Sequence, residues 1–284
     1  MIKTGLVLEG GAMRGLFTAG VIDVMLENGI ALDGVVGVSA GAVFGCNYKS
    51  RQIGRVLRYN KKYCRDPRYC GMKSLLFTGD YYGADFCYRE IPEILDPFDI
   101  ETYRANPMPF YAVCTDIHSG EAVLHRCDLG NGEDLAWFRA SASMPLASRP
   151  VKIDGREYLD GGIADSIPLR RFEEMGYGRN VVVLTQPAGF VKERSRLFGA
   201  MRLLLRRYPA MLRVMERRHE EYNAETRYVQ KREQEGAAFV IRPDAPLPVK
   251  RTDRDPEHLQ ACYDLGRAAA LRRLEELRAF VEGR

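Results

Sequence analysis

A chain of 284 residues, 46% hydrophobic and 28% charged, has the composition of a folded globular protein, which excludes a disordered or fibrous chain. Its net charge of +4 is too small to single out an anionic partner, and no nucleic-acid partner is expected from it. The seven scattered cysteines contain no CxxC pair, which argues for a reducing compartment and against a zinc site.

The first apolar run, Lys3 to Leu8, is too short for a signal-peptide core and ends at once in Glu9 and glycines, so export is not expected. No uncharged run reaches the roughly 20 residues that a membrane-spanning helix needs. A cytoplasmic protein follows, with any lipid contact peripheral to the inner face of the membrane. The run itself reads as a strand. Leu16, Val21, Val24 and Met25 recur at helical spacing up to Glu27, and Gly29 closes that helix. Val35 to Val38 is a second strand leading into Ser39 and then a helix through Ala40, Val43 and Phe44. This β-α-β-α opening predicts an α/β fold, a mainly parallel sheet with helices on both faces.

Residues 50 to 109 show no clean period and are expected to form short helices and loops along one wall of a pocket. Phe110 to Thr115 and Glu121 to His125 read as strands joined at His118, Ser119 and Gly120. A helix follows from Glu133 to Ser143, and another strand ends at Asp160. Leu169 to Met175 is helical and stopped by Gly176 and Gly178, and Asn180 to Leu184 is a buried-type strand. Arg194 to Glu235 carries a long helical pattern that Pro209 should kink or split. Phe239 to Ile241 is a strand, Pro243 to Pro256 a loop, and Glu257 to Val281 a single C-terminal amphipathic helix. With no repeat and no low-complexity linker, residues 1 to 284 are expected to form one domain, its motifs within about 3 to 185 and a helical part from about 190 to 284.

Gly37-Val38-Ser39-Ala40-Gly41 fits G-x-S-x-G between a strand and a helix, the context in which a sharp turn lifts a serine hydroxyl out of the backbone. The bland alternative is a tight turn alone. The turn Gly10-Gly11-Ala12-Met13-Arg14-Gly15 brings free amides to the same sheet edge. It lacks both the dinucleotide-binding glycine spacing and a P-loop lysine, so an oxyanion hole fits it better than a phosphate cradle, and no cofactor is expected. The histidines are poor bases for Ser39. His118 lies in a hairpin turn, His125 at a strand end, His219 on a charged helix and His258 in a first helical turn. Asp160 sits at a strand end before Gly161 and Gly162, where a desolvated carboxylate can take a proton directly, although an Asp-Gly turn would look the same.

The order and spacing of Gly10 to Gly15, Gly37 to Gly41 and Asp160 to Gly162 resemble the patatin-like phospholipase family, most nearly its bacterial branch. The likeness runs from Lys3 to about Leu184 and takes in Thr115-Asp116 and Ala142-Ser143 before Pro145. It implies a three-layer α/β/α sandwich and metal-free hydrolysis of lipid acyl esters through a Ser39–Asp160 dyad and an acyl-serine. It also implies an oxyanion hole from the amides of Gly11, Ala12 and Met13, with Arg14 supporting the loop. Ala12 departs from the family, which often has a third glycine there. Rival readings are an acyltransferase or thioesterase using the same dyad, or a silent lipid-binding protein.

Between Lys192 and Arg218 cations far outnumber acids and alternate with apolar residues, as in helices that lie on anionic membranes. The favoured reading is that the apolar side packs on the sheet while the arginines stay solvated.

Overall fold

The structure, a computed structural model, describes residues 2–283. Its centre is one eight-stranded sheet made of β1 (Thr4–Leu8), β2 (Gly34–Val38), β3 (Phe110–Asp116), β4 (Ala122–Arg126), β5 (Val151–Ile153), β6 (Arg156–Asp160), β7 (Arg179–Val183) and β8 (Ala238–Ile241). The order is β5-β6-β3-β2-β1-β7-β8, with β4 also on β3. β3, β2, β1, β7 and β8 run parallel, and β4, β5 and β6 add antiparallel pairings.

Successive strand side chains point to opposite faces, and here both faces are covered, which is why the strands read as unbroken apolar runs. Leu6, Leu8, Val35, Phe110, Ala112, Val181, Val183 and Ile241 enter one core layer, whereas Val7, Val36, Val38, Val113, Val182 and Val240 enter the other. The first layer is roofed by the helices Gly15–Glu27, Ala40–Lys49, Gly132–Ser141 and Pro256–Arg272, the second by Leu169–Glu174 and Pro209–Gln234. The result is the expected α/β/α sandwich.

Residues 50 to 109 form the short helices Arg55–Tyr63, Met72–Thr78 and Ile100–Ala105 and a π-helical stretch, Phe86–Leu95, that accommodates Pro92. Three features depart from the sequence reading. The β5–β6 hairpin was not anticipated, although its turn, Asp154-Gly155 with φ of +49° and +78°, has the chemistry that such turns demand. The C-terminal helix is two helices, Pro256–Arg272 and Leu274–Glu282, because Arg273 leaves helical geometry at φ −116°, ψ 18°. The basic segment starts in a loop at Lys192 rather than in a helix; the split at Pro209 is as expected, with a short helix, Phe198–Leu204, before it and a new helix beginning at Pro209, where its missing N–H is harmless. Met201, Leu205, Met211 and Met215 of that segment are buried with Ile117, Leu159 and Ile163, as the favoured reading holds, while Leu197, Leu203 and Leu204 are exposed. Among the described residues no helix is long and apolar enough to cross a membrane.

Candidate active site

Strand register alone brings the two candidate chemical groups together. Along one edge β3 pairs first with β2, Val38 opposite Val113, and then with β6, Asp160 opposite Cys114; β4 overlaps both stretches and so occupies the other edge. The carboxyl ends of β2 and β6 therefore meet at neighbouring residues of β3. Ser39, one step beyond β2, faces Asp160, the last residue of β6, and its hydroxyl is within hydrogen-bonding reach of the carboxylate.

Ser39 has φ +54° and ψ −122°, a conformation that costs a non-glycine residue about 1–3 kcal/mol and survives only where its neighbours enforce it. They do. Its amide donates to Ser141 Oγ at 2.9 Å, and Ser141 Oγ donates to the Val113 carbonyl at 2.6 Å. Its carbonyl accepts from the amides of Ala42 and Val43, both at 3.0 Å, which starts the following helix. At Gly10 a Cβ would lie 2.8 Å from Ser39 Cβ, so only glycine lets the first loop approach the serine.

Asp160 is buried and held on three sides. Its Oδ1 accepts from the Gly162 amide at 2.8 Å, its own amide donates to the Ser143 carbonyl at 2.9 Å, and its carbonyl accepts from Thr115 Oγ1 at 2.8 Å. Burial pushes the carboxyl above the ordinary aspartate range; the Ser39 hydroxyl, the charge of Arg218 and the Gly162 amide pull it partly back. A hydroxyl aimed by a strained turn and a desolvated carboxylate beside it form a pair able to pass a proton. Gly161 packs against the Val113 carbonyl, closing the turn after Asp160.

The glycine-rich loop is a tight turn over Ala12–Arg14. The amide of Met13 faces the Arg251 carbonyl at 3.5 Å, that of Arg14 donates to Gly11 at 3.2 Å, and that of Gly15 turns to the carbonyls of Ala12 and Met13. Met13, Arg14 and Gly15 are thus engaged, a correction to the broader set of oxyanion donors. The amides of Gly10, Gly11 and Ala12 have no acceptor among the described residues, and these three residues border the same small cavity as Ser39. Arg14 does not brace the loop through its Nε, which is buried without a partner. The anchor is Glu9: its carboxylate accepts from the Thr185 amide at 2.5 Å and from Tyr222 Oη at 2.7 Å, tying β1 to the chain beyond β7 and to the long helix.

Ala12 adopts φ +50°, the left-handed region in which a Cβ is strained. Ala12→Gly is expected to raise the stability of the protein by up to about 1 kcal/mol, read as an upward shift in thermal unfolding. An unchanged or lowered midpoint would show that the loop carries no such strain.

Ser39 opens onto an apolar cavity of about 470 Å³, within the size range of small-molecule sites. Phe44, Tyr59, Tyr69, Tyr88, Ile91 and Phe138 line it, so residues 50 to 109 do supply a wall. A second cavity of about 80 Å³ adjoins Ser39 and Asp160 and is lined by Arg14, Lys192, Arg218 and Arg251. The sequence reading missed the last three, counting Lys192 and Arg218 among solvated cations, and missed Ser141, for which no sequence signal exists. His219, set aside as a base for lying on a charged helix, borders the larger cavity.

Among the described residues one group of potential metal ligands lies elsewhere. His125, Cys127 and Asp134 bring ligand atoms within 4.8 Å of one another near β4. Asp134 Oδ2 already accepts from the amides of Leu129 and Gly130 at 2.7 and 2.6 Å, and the His125 ring stacks on Trp137 with centroids 4.0 Å apart. These contacts account for the cluster as a turn anchor.

Residues 6–172 match the family profile of patatin-like phospholipases, and residues 208–282 match one described as a domain of unknown function. An NTE family protein of Mycobacterium bovis is 28% identical over 167 residues, 59% of this chain and 44% of that protein. A lysophospholipase of Neurospora crassa is 29% identical over 180 residues, 61% of this chain and 11% of that protein. The chain thus spans less than half the length of these relatives. The crystal structure of VipD from Legionella pneumophila superposes with a TM-score of 0.49 and 13% identity, covering 97% of this chain and 67% of that one.

Proposed function

We propose that this chain, which belongs to the patatin-like phospholipase family, hydrolyses acyl esters of lipids with Ser39 as nucleophile and Asp160 as its base. The observation that carries the reading is the convergence, at the mouth of an apolar cavity, of a hydroxyl on a strained turn and a desolvated carboxylate within its reach. The fungal relatives that bear the name lysophospholipase favour a lipid as the ester. The two matched stretches are read as one folding unit, since β8 completes the sheet beside β7 and the helix Pro256–Arg272 lies against Gly20.

In this reading an acyl chain occupies the apolar cavity and its ester carbonyl lies over Ser39. Asp160 takes the hydroxyl proton as Oγ bonds to the carbonyl carbon. The negative charge on the carbonyl oxygen is met by the free amides of Gly10, Gly11 and Ala12, each such donor being worth about 3 kcal/mol of barrier. Collapse expels the alcohol, which leaves with the proton held by Asp160. Water then attacks the acyl-serine, Asp160 accepts its proton, and the fatty acid departs as Ser39 regains a proton. Ser39 caps the start of the helix Ala40–Lys49, whose free amide dipoles favour negative charge near it.

A fluorescent fluorophosphonate is expected to label the wild-type protein at Ser39, located by peptide mass spectrometry, and to leave Ser39→Ala unlabelled. A folded wild-type protein that takes no label would overturn the reading in favour of a silent binding protein.

A further inference from the structure

The two cavities that meet at Ser39 differ in chemistry. The larger is lined mainly by apolar and aromatic side chains; Lys192, Arg218 and Arg251 stand where the two meet and line both, and Arg14 joins them in the smaller one around Ser39 and Asp160. Among the described residues none of the four has a carboxylate within ion-pairing distance, as Lys49, Arg194, Arg232 and Arg267 do elsewhere. The two acids that line the smaller cavity are already engaged, Glu9 by Thr185 and Tyr222, and Asp160 by Gly162, and Glu225 close to Arg218 accepts from the amides of Ser166 and Ile167. Positive charge in this chamber therefore exceeds what the protein itself neutralises.

The cations are also built in. Lys192 is fixed through its backbone, its amide donating to Asn223 Oδ1 at 2.8 Å and its carbonyl accepting from Asn223 Nδ2 at 3.0 Å, while its ammonium lies over the Tyr222 ring, 4.1 Å from the centroid. Arg218 donates through Nε to the Gly162 carbonyl at 2.5 Å, which fixes it at the wall of the chamber. The carbonyl of Arg251 accepts from the amide of Met13, so its side chain is carried beside the glycine-rich loop. Desolvation first, and then the charges of Arg218 and Arg251, push Lys192 down to about 7, so its charged form is disfavoured unless an anion lies beside it. Lys192 and Arg251 lie outside the stretch that matches the patatin-like profile, as does Arg218.

We propose that Lys192, Arg218 and Arg251 form a subsite for a phosphate group, one that seats the phosphorylated head of a lipid whose acyl chain fills the apolar cavity. The inference rests on the hydrolase reading for the choice of a lipid. Its geometry is that of an amphiphile lying across Ser39: tail among the apolar walls of the large chamber, ester at the serine, phosphate at the cations where the two chambers join. Arginine and lysine suit the oxygens of a phosphate, and contacts between charged donors and such an anion are among the strongest a protein makes.

The test measures binding, so that it stands apart from turnover. The probes are an ether-linked alkylglycerol phosphate, the same alkylglycerol without phosphate, and inorganic phosphate, each titrated by calorimetry into the whole protein and into Lys192→Met, Arg251→Gln and their double variant, all checked for folding by thermal unfolding. The phosphate-bearing ether is expected to bind wild type at least about tenfold more tightly than its neutral counterpart, the effect of a single charge-assisted contact, and the double variant should lose that difference. Lys192→Arg should keep most of it. Equal affinity for the two ethers in wild type, or a preference that persists in a folded double variant, overturns the subsite and leaves the hydrolase reading untouched. Inorganic phosphate that binds wild type but not the double variant, with no gain for the phosphorylated ether, overturns the lipid-head assignment and marks a site for the free anion. Phosphate-dependent lipid binding by a protein that fluorophosphonate does not label supports the subsite and removes the hydrolase reading instead.

Discussion

Asp160→Asn is expected to lower ester turnover by about 10²–10⁴-fold, the usual weight of a general base, and at the same time to raise the thermal unfolding midpoint at neutral pH. Asparagine keeps the shape of the side chain and an oxygen for the Gly162 amide, so the turn Asp160–Gly162 is preserved. What it cannot do is accept the Ser39 proton. The gain in stability follows from burial: the folded-state pKa of Asp160 lies above the unfolded value, so the protonated form is the one the fold prefers. The stability that this preference contributes is present below the unfolded pKa and is lost as pH rises through the folded one. At neutral pH the wild type therefore carries a buried charge at a net loss, and the variant does not. The same shift places the acid limb of kcat/KM above the ordinary aspartate range near 4, because the base must be ionised to work. Arg218→Gln should move that limb further up, since the arginine's charge favours the ionised carboxylate. A folded Asp160→Asn variant with near-normal turnover would remove Asp160 from the mechanism.

Why these groups could be found from sequence, and others could not, follows from the range over which each is determined. Ser39 and the glycines around it are local: a strand, a turn that only small residues permit, and a helix all lie within a few residues, and the chain spells them out. Asp160 announced itself only as a strand end before two glycines, and its partnership with Ser39 depends on β3, which aligns both strands through Val113 and Cys114. No local pattern encodes that register. Ser141 lies further out of reach still, because its hydroxyl matters only once the Val113 carbonyl and the Ser39 amide are in place. Lys192 and Arg218 show the converse error. In a run with so many cations, composition favours solvated side chains, and only the packing of the long helix against Gly162 distinguishes the one that faces Asp160 from its neighbours on the same helix. The fold was more legible than the site because a strand buried on both faces is apolar throughout, a property visible in β1, β2 and β7 without knowledge of their partners. The break at Arg273 was harder than the one before Pro209, since amphipathic spacing continues across it and no proline marks it.

Gly41→Ala is expected to destabilise the protein by about 3 kcal/mol or more and to abolish fluorophosphonate labelling with it, even though the change adds one methyl group. A Cβ at Gly41 would lie 2.3 Å from the Leu8 carbonyl oxygen and 2.9 Å from that of Glu9, both backbone atoms. Neither can yield, because β1 is held on one side by β2 and on the other by β7. The helix Ala40–Lys49 would have to move away from the sheet instead. Its first turn is built on the Ser39 carbonyl, so the displacement would carry the strained serine out of reach of Asp160. Gly199→Ala is the matched control: it also lies in a helix, but a Cβ there meets nothing within 4 Å, and the loss of backbone freedom in the unfolded chain should make it neutral or stabilising by about 0.5–1 kcal/mol. Urea unfolding of both variants measures the contrast. If Gly41→Ala unfolds at the wild-type midpoint, close approach between this helix and β1 is not what positions Ser39, and the elbow must be held by the Ser141 bridge alone.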